Sequence, residues 1–493
     1  MYVAALDVGT GGLHVAVYTA PGTVIAEAYL EIGYSSDETG RFLEFDPEVL
    51  FTRSMNLLAG TIRRASLPEH AQLVLAVTGQ RHGSVFLDQQ MQPVLAVANL
   101  DGRVDPATLQ GLQEDFGKIF HLAGRIPSEI FPATRLLWMR EHQREVYGRI
   151  RGFLMINEWF TYRMTGVARC ERTSISESLL VSLSHAAWSD ELFSIFGLSE
   201  LSRWEIVPPG TIVGTLDPSV ARQFGLPNHT AVSLSAADTQ CAAVGSGATS
   251  AGDVVVVNGS TTPVVMVTKQ PILDPLQRTW TDLYVDDLFL LESNAGRTGM
   301  VYRDMVKLLS CQELPEASID AVFEAQRRGI SANLMPDPEQ SVDFHQCPQE
   351  LRFTADPIAA LTLLPYLMME NTAFAVAANI AELLRVTGET PRRILLTGGS
   401  SRSELTQSIL AVLLADAPLF LTETYDTTAR GAAMLALVAA NPKLSLEEVF
   451  SEGNQHGRKP LAPPASSRFA DVIQERYLGW RQRYRDMALR NSG

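Results

Sequence analysis

Cysteine is scarce. Only Cys170, Cys241, Cys311 and Cys347 occur in 493 residues, with no CxxC pair and no zinc-site spacing, which excludes a disulfide framework and predicts free, inert thiols in a reducing compartment. Long apolar runs are missing too: the stretches at 254–257 and 358–366 stop well short of the roughly 20 residues a membrane helix needs. Charge of one sign is never concentrated. The 40 Lys+Arg against 55 Asp+Glu give a net charge of -15 without blocks, which argues against a nucleic-acid or anionic-membrane partner. The start, Tyr2-Val3-Ala4-Ala5-Leu6-Asp7, has no basic stretch, apolar signal region or cleavage site, so a cytoplasmic protein is expected. Two common phosphate loops are absent as well. Gly111 to Gly117-Lys118 has the wrong spacing for GxxxxGK[ST] and runs into Ile119, and Gly245 to Ser250 lacks the last glycine of GxGxxG.

What is there is a large apolar content, 46% of the chain, enough for at least two cores. A short apolar run ends at Asp7, turns through Gly9-Thr10-Gly11-Gly12, and resumes over 13–18; Pro21-Gly22 then leads to a third strand near 24–29. The same unit recurs at 253–258, turning at Gly259-Ser260-Thr261-Thr262 and returning over 263–268. This duplication predicts two related α/β domains that face one another, residues 1–248 and 249–493, with the small residues 245–252 as hinge. Helical spacing marks 134–147, 158–164, 372–385, 403–415 and 427–440. The polar segment 311–356 reads as loops around a short helix, and 469–489 as a surface helix.

Four elements could carry chemistry. The turn after Asp7 lets the backbone of Gly9, Thr10 and Gly11 converge on an anion, with Asp7 placed to hold a metal-bound water; taken alone, such a turn is more often an ordinary glycine-rich hairpin. Gly259, Ser260 and Thr261 form a second such turn, and two together could clamp a triphosphate. Asp238 ends a run of small and apolar residues just before a helix, where a carboxylate can take a proton from a hydroxyl or cap the helix; the roles are compatible. Lastly, a buried strand at 393–397 runs into Gly398-Gly399-Ser400, a turn that admits a flat base or ribose or simply joins strand to helix. Ser403 can cap that helix, with Gln407 one turn on, and Glu423 and 427–433 read as a tight helix start on small residues.

In this order the pieces resemble the FGGY family of carbohydrate kinases. Phe131-Pro132-Ala133-Thr134-Arg135 through His142 is similar to that family's first signature, with Arg135 where lysine is usual; Gly398-Gly399-Ser400 through Gly431-Ala432-Ala433 is similar to the second. The resemblance implies an α/β fold of two ribonuclease H-like domains, of the actin, sugar-kinase and heat-shock ATPase type, with a cleft between them. It implies a cytoplasmic phosphotransferase that uses ATP and Mg²⁺ on a small-molecule sugar or polyol, with a homodimer as an open option. Asp7 would be the magnesium-site acid and Asp238 the catalytic base, although Ser235-Ala236-Ala237 replace the family's usual glycines before it. ATP would lie on Gly9, Thr10, Gly11, Gly259, Ser260, Thr261, Gly398, Gly399, Ser400 and Gln407. The sugar would meet Gln80, Arg81, His82, Asn99, Asp101 and Arg103. Xylulokinases are similar here, but Arg81 replaces a methionine and Leu100 is inserted between Asn99 and Asp101; the Asn-x-Asp-x-Arg pattern with Leu43-Glu44-Phe45-Asp46 resembles kinases of the quorum-sensing autoinducer. An ATPase of the chaperone or filament type and an inactive sugar sensor are the readings from other classes.

Overall fold

The computed structural model describes residues 1–20, 22–310, 316–339, 350–352, 361–422, 424, 426–452 and 458–491. Pro21, Cys311, Cys347 and Glu423 lie outside them. The first sheet is built on β1 (Tyr2–Val8), whose residues 3–6 are fully covered on both faces. It pairs antiparallel with β2 (Gly12–Thr19), which pairs with β3 (Thr23–Glu31). On its other side run β4 (Leu73–Gly79) in parallel, then β6 (Ala231–Leu234), and the antiparallel edge β5 (Ile212–Thr215). The order is therefore 5-6-4-1-2-3.

The second sheet repeats this plan. Its centre is β7 (Asp253–Asn258), antiparallel to β8 (Pro263–Thr268) and parallel to β11 (Arg393–Gly398). Beyond β11 come β12 (Leu419–Thr422) and the antiparallel edge β13 (Arg458–Leu461), and beyond β8 come β10 (Phe289–Asn294) and β9 (Trp280–Leu283). Both sheets thus have an antiparallel hairpin at the centre, parallel strands on one side and an antiparallel edge, as the duplicated turns predict. Val-rich β7 and β8 read as continuous apolar runs because helices cover both faces.

Between the sheets, α5 (Asp238–Gly245) crosses α9 (Thr427–Ala440). The crossing is made by glycine: a Cβ on Gly431 would lie 1.9 Å from the Cys241 carbonyl oxygen, and one on Gly245 would lie 1.9 Å from that of Thr427. The segment after α5 is buried and gripped, since Arg393 donates to the Gly247 carbonyl at 2.8 Å and Arg458 to that of Ser246 at 3.0 Å. The small residues at 245–248 serve close packing here.

Three sequence expectations need correction. The helix expected over 134–147 is two: α2 (Pro132–His142) ends at Gln143, whose φ of -131° and ψ of 57° break it before the helix Arg144–Arg149. The one expected from 372 is α7 (Leu364–Thr387), started eight residues earlier by a proline in its first turn. The C-terminal helix α10 (Ser467–Asn491) is not a surface helix: Phe469, Ile473, Trp480 and Tyr484 are buried, and Trp480 Nε1 donates to Asn371 on α7 at 2.9 Å. In 311–356 the described part holds the expected short helix, Ile319–Arg328, and a strand pair, Ser331–Asn333 with Glu350–Arg352.

Because no side chain separates α5 from α9, Gly431→Ala should force the helices apart and cost about 1–3 kcal/mol, the usual penalty for overpacking. Urea unfolding measures it; an unshifted midpoint would show that the crossing yields freely.

Candidate active site

Both hairpin turns face the cleft between the sheets. In the first, the Gly9 amide donates to the Gly12 carbonyl at 3.0 Å. The turn is held from behind by the hydroxyls of Tyr29 and Tyr34, which donate to the Gly11 and Thr10 carbonyls at 3.2 and 2.7 Å. Asn99 Nδ2 donates to Thr10 Oγ1 at 2.8 Å. In the second turn, Gly259 is backed by the start of α6 (Thr298–Leu308): a Cβ on Gly299 would sit 2.2 Å from the Gly259 carbonyl oxygen. Arg303, on α6, donates to Ser260 Oγ at 3.2 Å and reaches toward Gly11, so one cation stands beside both turns.

The third turn follows β11. Gly398 has φ of 87°, and a Cβ there would meet the Asn258 carbonyl oxygen at 2.2 Å, so glycine is required on both counts. Gln407, one turn into α8 (Glu404–Leu413), donates to the Ser401 carbonyl at 2.8 Å and supports this turn from outside the cleft. Ser400 Oγ is buried without a partner. The three turns line a cavity of about 930 Å³ with Arg303, Met368, Met369 and Thr427.

A second cavity, of about 240 Å³, is lined by Arg81, His82, Asn99, Ile130, Asp238 and Trp280 among others. The two cavities share Asp7, Gly9, Gly259 and Ser260, and therefore meet at the paired turns. Asp238 opens α5. Its Oδ1 accepts the Thr239 amide at 2.7 Å, and the residues before it are fixed: Thr78 donates to the Ala236 carbonyl at 2.7 Å, and the Ala237 amide to Thr173 Oγ1 at 3.0 Å. The carboxylate sits at the bottom of a dense cleft, with 27% of its side chain exposed. Burial pushes its pKa up to about 6, against the pull of Arg81 and the Thr239 amide.

Asp7 lies one residue before the end of β1, opposite His14. Its Oδ1 is buried without a hydrogen-bond partner, and burial, reinforced by Asp426 and Asp238, raises its pKa well above its usual value. Such a group lacks a cation. Among the described residues no group of three His, Cys, Asp or Glu could hold a metal, so a Mg²⁺ here would rest on Asp7, water and substrate phosphates, the habit of this ion. The site fits it.

Arg81, His82 and Asn99 line the smaller cavity. Gln80, Asp101 and Arg103 do not: their polar atoms are spent inside the protein. Gln80 accepts the Asn99 amide at 2.9 Å and donates to Tyr34 at 3.1 Å. Asp101 accepts Arg103 Nε at 2.7 Å and the Leu43 amide at 2.8 Å, and Arg103 also reaches Glu44 at 2.8 Å. These three therefore brace the loops around the cavity from within the protein. Arg135, buried on α2, donates to the carbonyls of His82, Asn99 and Asp101 at 2.7, 2.9 and 3.0 Å, and so ties together the two loops that line this cavity.

Sequence reasoning missed the ion network under this cavity. Arg81 forms a bidentate pair with Glu292 on β10, at 2.6 and 2.9 Å, and its Nε lies 3.9 Å from Asp238. Arg125 pairs with Glu177 at 2.7 Å and with Asp282 on β9. His82 Nε2 lies 2.9 Å from Glu177 Oε2. Arg125 and Arg81 hold Glu177 well below the usual carboxylate range against its burial, whereas burial pushes the His82 imidazole down to about 4, leaving it neutral at pH 7. The available signal was a carboxylate inside apolar strands, at Thr281-Asp282-Leu283 and Leu291-Glu292-Ser293.

A two-lobed α/β protein with duplicated sheets and paired glycine turns over one cleft belongs to the class of phosphotransferases and ATPases built like actin. The chain belongs, more narrowly, to the FGGY family of carbohydrate kinases: the model of that family's N-terminal domain matches residues 2–245 and that of its C-terminal domain residues 364–440. It is 29% identical over 333 residues to YoaC of Bacillus subtilis (strain 168), whose name places it among sugar kinases, covering 66% of this chain and 67% of that one. It is 24% identical to an autoinducer-2 kinase of Yersinia pestis bv. Antiqua (strain Angola), over 88% of this chain and 85% of that protein. Its fold superposes on the ligand-bound xylulose kinase of Lactobacillus acidophilus with a TM-score of 0.86 at 17% identity, covering 99% and 98% of the two chains. The protein is accordingly a phosphotransferase of the carbohydrate-kinase family, with ATP as the phosphoryl donor. No described helix is long and apolar enough to cross a membrane.

Glu177 shares the buried Arg125 with Asp282 and stands 2.9 Å from His82 Nε2. Glu177→Gln should therefore take away one of the two anions on Arg125 and destabilise by about 1–3 kcal/mol. Calorimetric unfolding reads this, and a loss under about 1 kcal/mol would contradict a charged pair at that position.

Proposed function

We propose that the chain transfers the γ-phosphoryl group of ATP to a hydroxyl of a ketose or polyol held in the smaller cavity, with Asp238 as general base. The observation that carries this is the meeting of the two cavities at Asp7, Gly9, Gly259 and Ser260, beside Asp238, the carboxylate that opens α5. ATP occupies the larger cavity, with its base and ribose against Gly398, Gly399 and Ser400 and that turn braced by Gln407. Its phosphates lie between Gly9-Thr10-Gly11 and Gly259-Ser260-Thr261, with Arg303 alongside. Mg²⁺, held near Asp7, supplies charge neutralisation at the phosphates. The lobes, residues 1–248 and 249–493, bring acceptor and donor in line.

Phosphoryl transfer depends mostly on positioning and charge neutralisation. What the chain adds at the acceptor is orientation: Asp238 accepts the hydroxyl hydrogen and takes the proton as the oxygen attacks. Its backbone is fixed by Thr78 and Thr173, and Arg81 Nε faces it from the lobe's own loop. Gln80, Asp101, Arg103 and Arg135 position the loops that carry Arg81, His82 and Asn99.

A ketopentose is the leading acceptor, supported by the xylulose-kinase fold match. The second is the quorum-sensing dione or its open-chain hydrate, supported by the sequence likeness to autoinducer-2 kinase along 88% of this chain. ADP release with Mg-ATP across ketopentoses, other ketoses, polyols and the dione separates them. Strong, selective turnover of xylulose is expected; activity confined to the dione would move the chain to the second reading, and acceptor-independent ATP consumption would indicate an ATPase.

Asp238→Asn should lower kcat by about 10²- to 10⁴-fold while nucleotide binding, followed by isothermal titration, stays intact. Since the base acts ionised and its pKa stands at about 6, wild-type kcat/KM should fall as pH drops through that value and level off above it. An unchanged kcat in Asp238→Asn would rule out its role as base.

A further inference from the structure

The acceptor cavity has a peculiar charge balance, and the inference from it rests on the acceptor-site reading above. Arg81 is the one cationic side chain among its described lining residues. Both of its terminal nitrogens are taken by Glu292, which arrives from the opposite sheet. Behind it Arg125 is fully buried between Glu177 and Asp282. Two arginines thus face four carboxylates, those of Glu177, Asp238, Asp282 and Glu292, and Asp7 adds a fifth where the cavities join.

We propose that Glu292 and Asp282 act as a charge filter contributed by the second lobe: they neutralise the arginines under the acceptor cavity, so that the site takes uncharged ketoses and polyols and turns away sugar acids. A neutral acceptor needs hydroxyl partners, and Asn99, Asn294 and Arg81 Nε offer them without a formal counter-ion. The carboxylate of an aldonate would enter a cleft whose cations are already matched and whose nearest open side chain, Asp238, is itself a carboxylate. A desolvated anion without a partner, facing like charge, is strongly disfavoured. This is discrimination by repulsion, which needs no extra contact to the favoured substrate. Glu292 and Asp282 touch Arg81 and Arg125 and are positioning residues, not catalytic ones.

The test compares acceptors that share a carbon skeleton, a polyol or ketose against its aldonate, by initial rates of ADP release at saturating Mg-ATP. The wild type should favour the neutral member by about 100-fold or more in kcat/KM. Glu292→Gln removes the bidentate partner of Arg81 and cuts the carboxylates around the two arginines from four to three, and should narrow that ratio at least about ten-fold, with the gain appearing as a lower KM for the acid. Asp282→Asn should shift it in the same direction. Turnover of an aldonate by the wild type within about three-fold of its best neutral acceptor overturns the filter, as do two folded variants that leave the ratio unmoved. If neither variant folds, the wild-type ratio decides alone. Silence with every acceptor, neutral and acidic, removes the acceptor-site reading itself, an outcome distinct from loss of the filter.

Discussion

The contact of α5 with α9 at Gly245 and Gly431 sets the distance between the two sheets, and much else follows from that distance. Each helix begins at the cleft: α5 with Asp238, α9 with Thr427 and Thr428 behind the capping Asp426, whose carboxylate also meets His14 of the first sheet. A backbone-to-backbone crossing is stiffer than one mediated by long side chains, because no rotamer can take up a change in separation. Asp238 and the two glycine turns therefore belong to one frame, although they come from residues 9, 238 and 259 of the chain. Catalysis by positioning needs such a frame, since an ångström of misplacement costs about 10²-fold in rate.

The ion network under the smaller cavity obeys a different logic. Burying Arg81, Arg125, Glu177, Asp282 and Glu292 together costs desolvation that their mutual attraction need not recover, so the network is weak evidence for stability. What it does provide is direction. Arginine presents a planar fork, and with its two ends fixed on Glu292 the third nitrogen of Arg81 is left aimed at Asp238. The second sheet thereby takes part in shaping a cavity whose polar walls Arg81, His82 and Asp238 come from the first lobe.

The legible parts of the sequence were those with local signatures. The paired hairpins at 2–19 and 253–268, the strand into Gly398, and the helix over 427–440 are marked by period and by turn residues, and the symmetric sheets follow from their repetition. Less legible was whatever depends on neighbours remote in sequence. The C-terminal helix looked like a surface element because its polar residues dominate, yet Phe469, Ile473, Trp480 and Tyr484 lie on one stripe that only the presence of α7 gives a partner. Asp101 and Arg103 looked like substrate contacts because charged residues after a strand usually are exposed; they are buried because each is the other's partner. Glu177 has no sequence signal, for its meaning depends on arginines 96 and 52 residues away in the chain.

The same contrast bears on the magnesium site. A dedicated metal cage would write several carboxylates into the sequence at fixed spacing, and the described residues contain none. Asp7 alone, with one oxygen unpartnered and its charge disfavoured by burial and then by Asp426 and Asp238, makes half a site. Phosphate oxygens of a nucleotide would be the other half, and a Mg²⁺ held by both would supply the positive charge that this buried carboxylate lacks.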